Sequence, residues 1–70
     1  MPEKSLKTIA KNVREARINA GLTQSELGKK ADISTNYISR IERADASPTT
    51  DVLERIVKAL KVKSSTILPF

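Results

Sequence analysis

An all-α fold of four to five short helices, compact and without strands, is predicted for this chain by three observations. Apolar residues recur at three- and four-residue spacing along most of its length, cap residues stand at regular intervals, and no run alternates as a strand does. Seventy residues suffice for one small domain, and no linker, repeat or low-complexity tract divides residues 1–70. A single core of that size is marginal, so tight helix packing or self-association is expected to support it.

The elements follow from the N-terminus. Ser5 is a candidate N-cap for a first helix reaching about Ala20, with Gly21 as its stop. Leu6, Ile9, Ala10, Val13, Ala16 and Ala20 then share one stripe, and Lys7, Lys11, Arg14 and Glu15 face away from it. Two residues break the pattern: Ile18 falls on the polar side and Arg17 inside the stripe. Thr23-Gln24-Ser25-Glu26 reads as a capping box opening a second helix that ends near Lys30. Asp32 occupies the turn, where Asp tolerates a positive φ better than most residues. Ser34 caps a third helix over about 35–42, and residues 43–48 form a loop. Thr49 caps a fourth helix to about Lys61, with Asp51 and Glu54 suited to its first turns. Leu53, Ile56, Val57 and Leu60 form its apolar face and Arg55, Lys58 and Lys61 its wet face. Ser64 or Ser65 starts a last turn carrying Ile67 and Leu68, which Pro69 limits.

Composition narrows the chemistry. The chain has no Cys and no His. Disulfides, thiolate metal sites, the commonest metal ligand and the usual general base are therefore unavailable. No Gly-rich phosphate loop, paired acids, signal peptide or membrane-length apolar run appears. The expectation is a cytoplasmic protein that is not an enzyme, needs no cofactor or metal and has no membrane contact. The net charge of +5 biases it toward a polyanionic partner.

The segment 23–43 carries most of the information. Leu27, Ala31, Ile33, Ile38 and Ile41 can close on one another, and Gly28 stands where two short helices must approach closely. That spacing suits a helix-turn-helix unit holding its second helix proud of the surface. On that helix Ile38 and Ile41 point inward. Asn36, Ser39, Arg40 and Arg43 project outward, with Thr35 and Tyr37 on the flanks. Arg can bond guanine, Asn adenine, and a Thr methyl can meet a thymine methyl. The competing reading is an ordinary solvated helix face. Gln24, at the N-terminus of the second helix, is placed to meet a phosphate through free N–H groups, the helix dipole and its own amide. Alternatively it is a plain first-turn residue. Arg17 and Glu42 flank the inward sides of their helices, where an unpaired charge is costly. Either they pair across the two helices or both reach separately to water.

From Ile9 to Leu68 the chain resembles the lambda repressor and Cro-like helix-turn-helix family, also called the Xre family. The resemblance rests on Val13-Arg14-Glu15-Ala16-Arg17, Gly21-Leu22-Thr23-Gln24-Ser25-Glu26-Leu27, Tyr37-Ile38-Ser39-Arg40-Ile41-Glu42-Arg43 and Ser47-Pro48-Thr49. It implies a five-helix fold whose third helix enters the major groove of double-stranded DNA, bound as a dimer to an inverted repeat. It further implies base or nearby phosphate contacts from Ser34, Thr35, Asn36 and Arg40, a phosphate contact from Gln24, and a buried Arg17–Glu42 bridge. Tyr37 is similar to the Tyr of restriction–modification controllers in this family, which lies at the DNA surface. Thr23, Ser39 and Arg43 complete the candidate phosphate contacts. Asp32 stands where many relatives have Gly, Gly28 where Ala is common, with an expected cost in helix stability, and the Ala44-Asp45-Ala46 loop is less basic than usual.

The expected function is that of a transcription regulator, of repressor or controller type, reading an operator as a homodimer. The alternative is a protein-interaction module of the same fold, as in antitoxins or antagonists, that reads no DNA itself. A regulatory protein partner is compatible with either. Ile67, Leu68 and Phe70 are too apolar for a free tail and mark the expected dimer contact, although Ile67 and Leu68 could equally close the core of one chain.

Overall fold

A computed structural model describes residues 3–69, in which five helices and no strand surround one core. Helix α1 spans Glu3–Asn19, α2 Gln24–Ala31, α3 Thr35–Glu42, α4 Thr50–Leu60 and α5 Ser64–Ile67. The first helix begins before Ser5, which is therefore a helix residue and not its cap; Glu and Lys, both good helix formers, carry the helix back past it. Ala20 lies beyond the helix end and is exposed, so the buried stripe stops at Ala16 and Arg17.

The predicted caps form. Thr23 Oγ1 accepts from the Glu26 N–H while the Thr23 N–H donates to the Glu26 carboxylate, which closes the capping box. Hydrogen bonding from Thr23, its N–H first, holds the Glu26 carboxyl below the ordinary carboxylate range. Ser34 Oγ accepts from the Tyr37 N–H at 3.1 Å, and Thr49 Oγ1 from the Val52 N–H at 3.2 Å. Lys63, at the start of α5, makes no such side-chain cap.

The core draws on all five helices: Ile9, Val13 and Ala16 from α1, Leu27 and Ala31 from α2, Ile38 and Ile41 from α3, Leu53, Ile56 and Leu60 from α4, and Ile67 from α5. Each enclosed Ile or Leu contributes roughly 1.5–3 kcal/mol relative to an exposed one. Ile33 is only half-buried, packed against the cluster at the turn between α2 and α3. Gly28 faces that turn. A Cβ built on it would stand 2.5 Å from the Ile33 carbonyl oxygen, so the close approach of the turn, more than helix propensity, governs this position. Two polar ties that the residue pattern did not disclose complete the frame. Asn12 Nδ2 donates to the Ile67 carbonyl at 2.9 Å, joining α1 to α5. Arg55, read from sequence as merely solvated, donates from Nη1 to the Asp32 carbonyl at 3.3 Å and so joins α4 to the turn.

Four helices end in the same way. After α1 and α3 the N–H groups two and three residues past the last helical residue return to carbonyls of the final turn, Gly21 to Ile18 and Leu22 to Arg17, Ala44 to Ile41 and Asp45 to Arg40. After α4 those one and two residues past it do so, Lys61 to Lys58 and Val62 to Val57. At α2, Asp32 and Ile33, the two residues directly after Ala31, return to Lys29 and Gly28. Each motif places one residue in the left-handed region, and only Gly21 of the four lacks a Cβ; Asp32, Ala44 and Lys61 have φ of 58°, 58° and 57°. Ala44→Gly and Lys61→Gly should therefore each stabilise the chain by about 0.5–1 kcal/mol, the relief of Cβ strain exceeding the added disorder of the unfolded chain. Urea unfolding measures this, and a loss of stability in both variants would contradict it.

Candidate nucleic-acid interface

The pose of α3 is set from behind by one ion pair. Arg17 Nε and Nη2 donate to Glu42 Oε2 and Oε1 at 2.7 and 3.0 Å, a bidentate fork, and Arg17 Nη1 donates to the Leu22 carbonyl at 2.8 Å. The two side chains are 13% and 4% exposed, so the pair is withdrawn from water. The Glu42 hydrogen bond raises the Arg17 pKa, with burial opposing it, so the guanidinium stays charged. The expectation that the two residues pair is met, and separate contact with water is not.

Gln24 enters the same network. Its Nε2 donates to Glu42 Oε1 at 3.1 Å, which gives this carboxylate three donors from two residues. The amide is therefore anchored at the N-terminus of α2, with its carbonyl oxygen and one N–H left over. Beside it, the first backbone N–H groups of α2 have no partner within the helix. Thr23, next in line, has its hydroxyl engaged in the capping box.

The outward arc of α3 divides into two groups. Ser34, Thr35, Asn36, Arg40 and Arg43 are exposed, and the side chains of Thr35 and Asn36 make no hydrogen bond within the described residues. Ser34 serves as the cap already described. Arg40 Nη2 donates to the Asp45 carbonyl at 3.1 Å, which leans its guanidinium toward the loop after α3 and leaves most of its donors open. Arg43 Nη1 donates to Ser39 Oγ at 2.6 Å, and its Nη2 lies 4.0 Å from Asp45. Ser39 and Tyr37 are half-buried, Tyr37 against the edge of the core, so they border the arc. The sequence pattern missed both the Gln24–Glu42 bond and the lean of Arg40; neither leaves a trace in residue spacing.

Two short helices joined by a tight turn, the second presenting polar side chains from a braced scaffold, define a helix-turn-helix unit of the DNA-binding class. Residues 13–67 match the family described as helix-turn-helix, and the chain belongs to this lambda repressor-like, or Xre, family of transcriptional regulators. It is 34% identical over 61 residues to the regulator ImmR of Bacillus subtilis, covering 87% of this chain and 48% of that protein. It is 36% identical over 59 residues to the control protein C.BamHI of Bacillus amyloliquefaciens, covering 83% and 73%. The restriction-modification controller C.AhdI of Aeromonas hydrophila superposes with a TM-score of 0.87 at 21% identity, over 90% of this chain and 96% of that one, which shows the fold. The chain spans only 39% of the length of a regulator of Mycobacterium tuberculosis to which it is 33% identical over 55 residues, and that covers 79% of this chain.

Because Arg17 and Glu42 meet out of water, Arg17→Ala or Glu42→Ala alone should cost about 3–5 kcal/mol by stranding the other charge. The double variant should cost far less than the sum. Denaturant unfolding of the four proteins supplies the cycle; simple additivity would show the pair to be energetically idle.

Proposed function

We propose that this chain is a sequence-specific regulator of transcription, repressor or controller in type, that sets α3 in the major groove and binds an inverted-repeat operator as a homodimer. One observation carries the reading: the exposed Thr35, Asn36 and Arg40 sit together on a helix braced by the buried Arg17–Glu42 pair. Unsatisfied donors and acceptors on a rigid element are what base recognition needs. Ser34, Thr35, Asn36 and Arg40 are assigned to bases, and Thr23, Gln24, Tyr37, Ser39 and Arg43 to phosphates. Likeness to ImmR, C.BamHI and other regulators and controllers supports regulation over mere association. On this reading the protein works in the cytoplasm, on DNA, without catalysis or cofactor, and residues 1–70 act as one domain.

Dimerisation is assigned to the α4–α5 side. Ile67 is fully enclosed and supports the core of the single chain, so any part it has in a dimer is indirect. Leu68 is half-buried beside Pro48, Leu53 and Val57, which line an apolar groove with it. Phe70 lies outside the described residues. One α3 reads too few base pairs to select a single genomic site, whereas two related by a two-fold axis read half-sites about one DNA turn, roughly 34 Å, apart.

A duplex selected from a random pool tests the reading first; failure to enrich any sequence would overturn it. On the selected duplex, Arg40→Ala should lose roughly 1–3 kcal/mol and relax preference at one position, and part of any loss in fold stability would come from its bond to Asp45. Arg43→Ala should weaken all sequences alike and flatten the salt dependence. Equal loss on selected and random duplexes for Arg40→Ala would refute its base-reading role. Sedimentation at rising concentration should show a monomer–dimer equilibrium that Leu68→Asp shifts toward monomer; a chain that stays monomeric at hundreds of micromolar and binds DNA without cooperativity would contradict the dimer.

A further inference from the structure

The outer face of α1 belongs neither to the core nor to the surface assigned to DNA. Lys4, Lys7, Lys11 and Arg14 repeat at three- and four-residue spacing, are all exposed, and stack in one row. The row borders a groove between α1 and the C-terminal end of α3. Lys7, Lys11, Arg14 and Arg43 stand around it, while Ala10, Ile18 and Ala44 give it an apolar lining. Ile18 is 54% exposed, the large hydrophobic residue left uncovered among the described ones. Two carboxylates also face the groove. That of Glu42 is committed to Arg17 and Gln24, and Arg43 at the rim lies near Asp45, which leaves Glu15 beside Lys11 and Arg14.

The groove meets the surface assigned to DNA at Arg43 and extends from there along α1. Arg17, in the last turn of α1, reaches Gln24's neighbour Glu42, whereas Asn12 already bonds to α5. Lys7 lies ten residues before Arg17, about 15 Å back along the helix axis. A phosphate backbone would find cations there but nothing to cover Ile18 and Ala44. An acidic segment with an apolar stripe satisfies both features.

We propose that this groove docks an acidic amphipathic helix of a partner protein, about three turns long, and that it can do so while α3 is occupied. Carboxylates of the partner meet Lys7, Lys11 and Arg14, and its apolar stripe covers Ile18 and Ala44. Docking uses Lys7, Lys11, Arg14, Ile18 and Ala44 and leaves Arg43, the groove residue assigned to phosphate, to the DNA, so it stands or falls apart from the operator reading.

The probe is a synthetic peptide of about 14 residues with Glu on one helical face and Leu on the other, beside a peptide of the same composition with the Leu residues scattered. Titrated into the isotopically labelled full chain at about 150 mM salt, the first should shift amides of residues 7–18 and Ala44 and saturate in the submillimolar range. Ile18→Ser and the triple variant Lys7→Gln, Lys11→Gln, Arg14→Gln, all at exposed positions, should weaken it about tenfold while keeping native spectra. Saturating duplex should leave the affinity within about threefold. Equal binding of the scattered peptide, shifts confined to α2 and α3, displacement by duplex, or no binding at all would each overturn the proposal.

Discussion

The buried fork between Arg17 and Glu42 is the contact on which the rest of this small structure turns. It joins the last turn of α1 to the last turn of α3, and through Leu22 it also fixes the loop leading into α2. Replacing the pair by apolar residues could leave the fold as stable, since desolvation offsets much of the attraction. What such a replacement could not reproduce is direction. A guanidinium fork accepts one orientation of the carboxylate, and Glu42 in turn presents one oxygen to Gln24. Three elements are thereby held in a single relative pose, and the exposed arc of α3 inherits that pose.

The turn between α2 and α3 is the second constraint. Its carbonyl at Ile33 comes so near Gly28 that no side chain fits without displacing backbone, and the left-handed Asp32 that starts it is held from α4 by Arg55. The angle between the two helices is thus fixed at the turn and behind it. A recognition surface made of flexible side chains can be selective only if the helix that carries them does not rock.

Much of this was legible in the residue pattern, for local reasons. Thr23, Ser34 and Thr49 announce three helix starts because a cap acts within three residues of itself. The Arg17–Glu42 pair was legible because charge at an inward position demands an opposite charge. The start of α1 was not, since Ser5 has the chemistry of a cap in a segment whose neighbours favour helix. Ala20 was misplaced because periodicity cannot see where a helix stops. Asn12, Arg55 and Gln24 find partners far along the chain, 55, 23 and 18 residues distant, and such contacts are decided by tertiary geometry alone. For the candidate site, residue types marked the exposed arc, while the tilt of Arg40 and the anchoring of Gln24 emerged only in three dimensions.

The bond from Asn12 to the Ile67 carbonyl has a consequence for how the chain assembles. It joins residues near the two ends, whereas α2 and α3 are joined through a three-residue turn. Bringing distant ends together costs more chain entropy than closing a short turn, so the α2–α3 hairpin has the kinetic advantage and the docking of α5 on α1 comes late. By the same ordering, partial opening of the native state starts at α5, a four-residue helix with no side-chain cap, and uncovers Ile67 before it disturbs α3. Amide exchange along the chain would follow this gradient, with α3 shielded longer than the short α5 that completes its core.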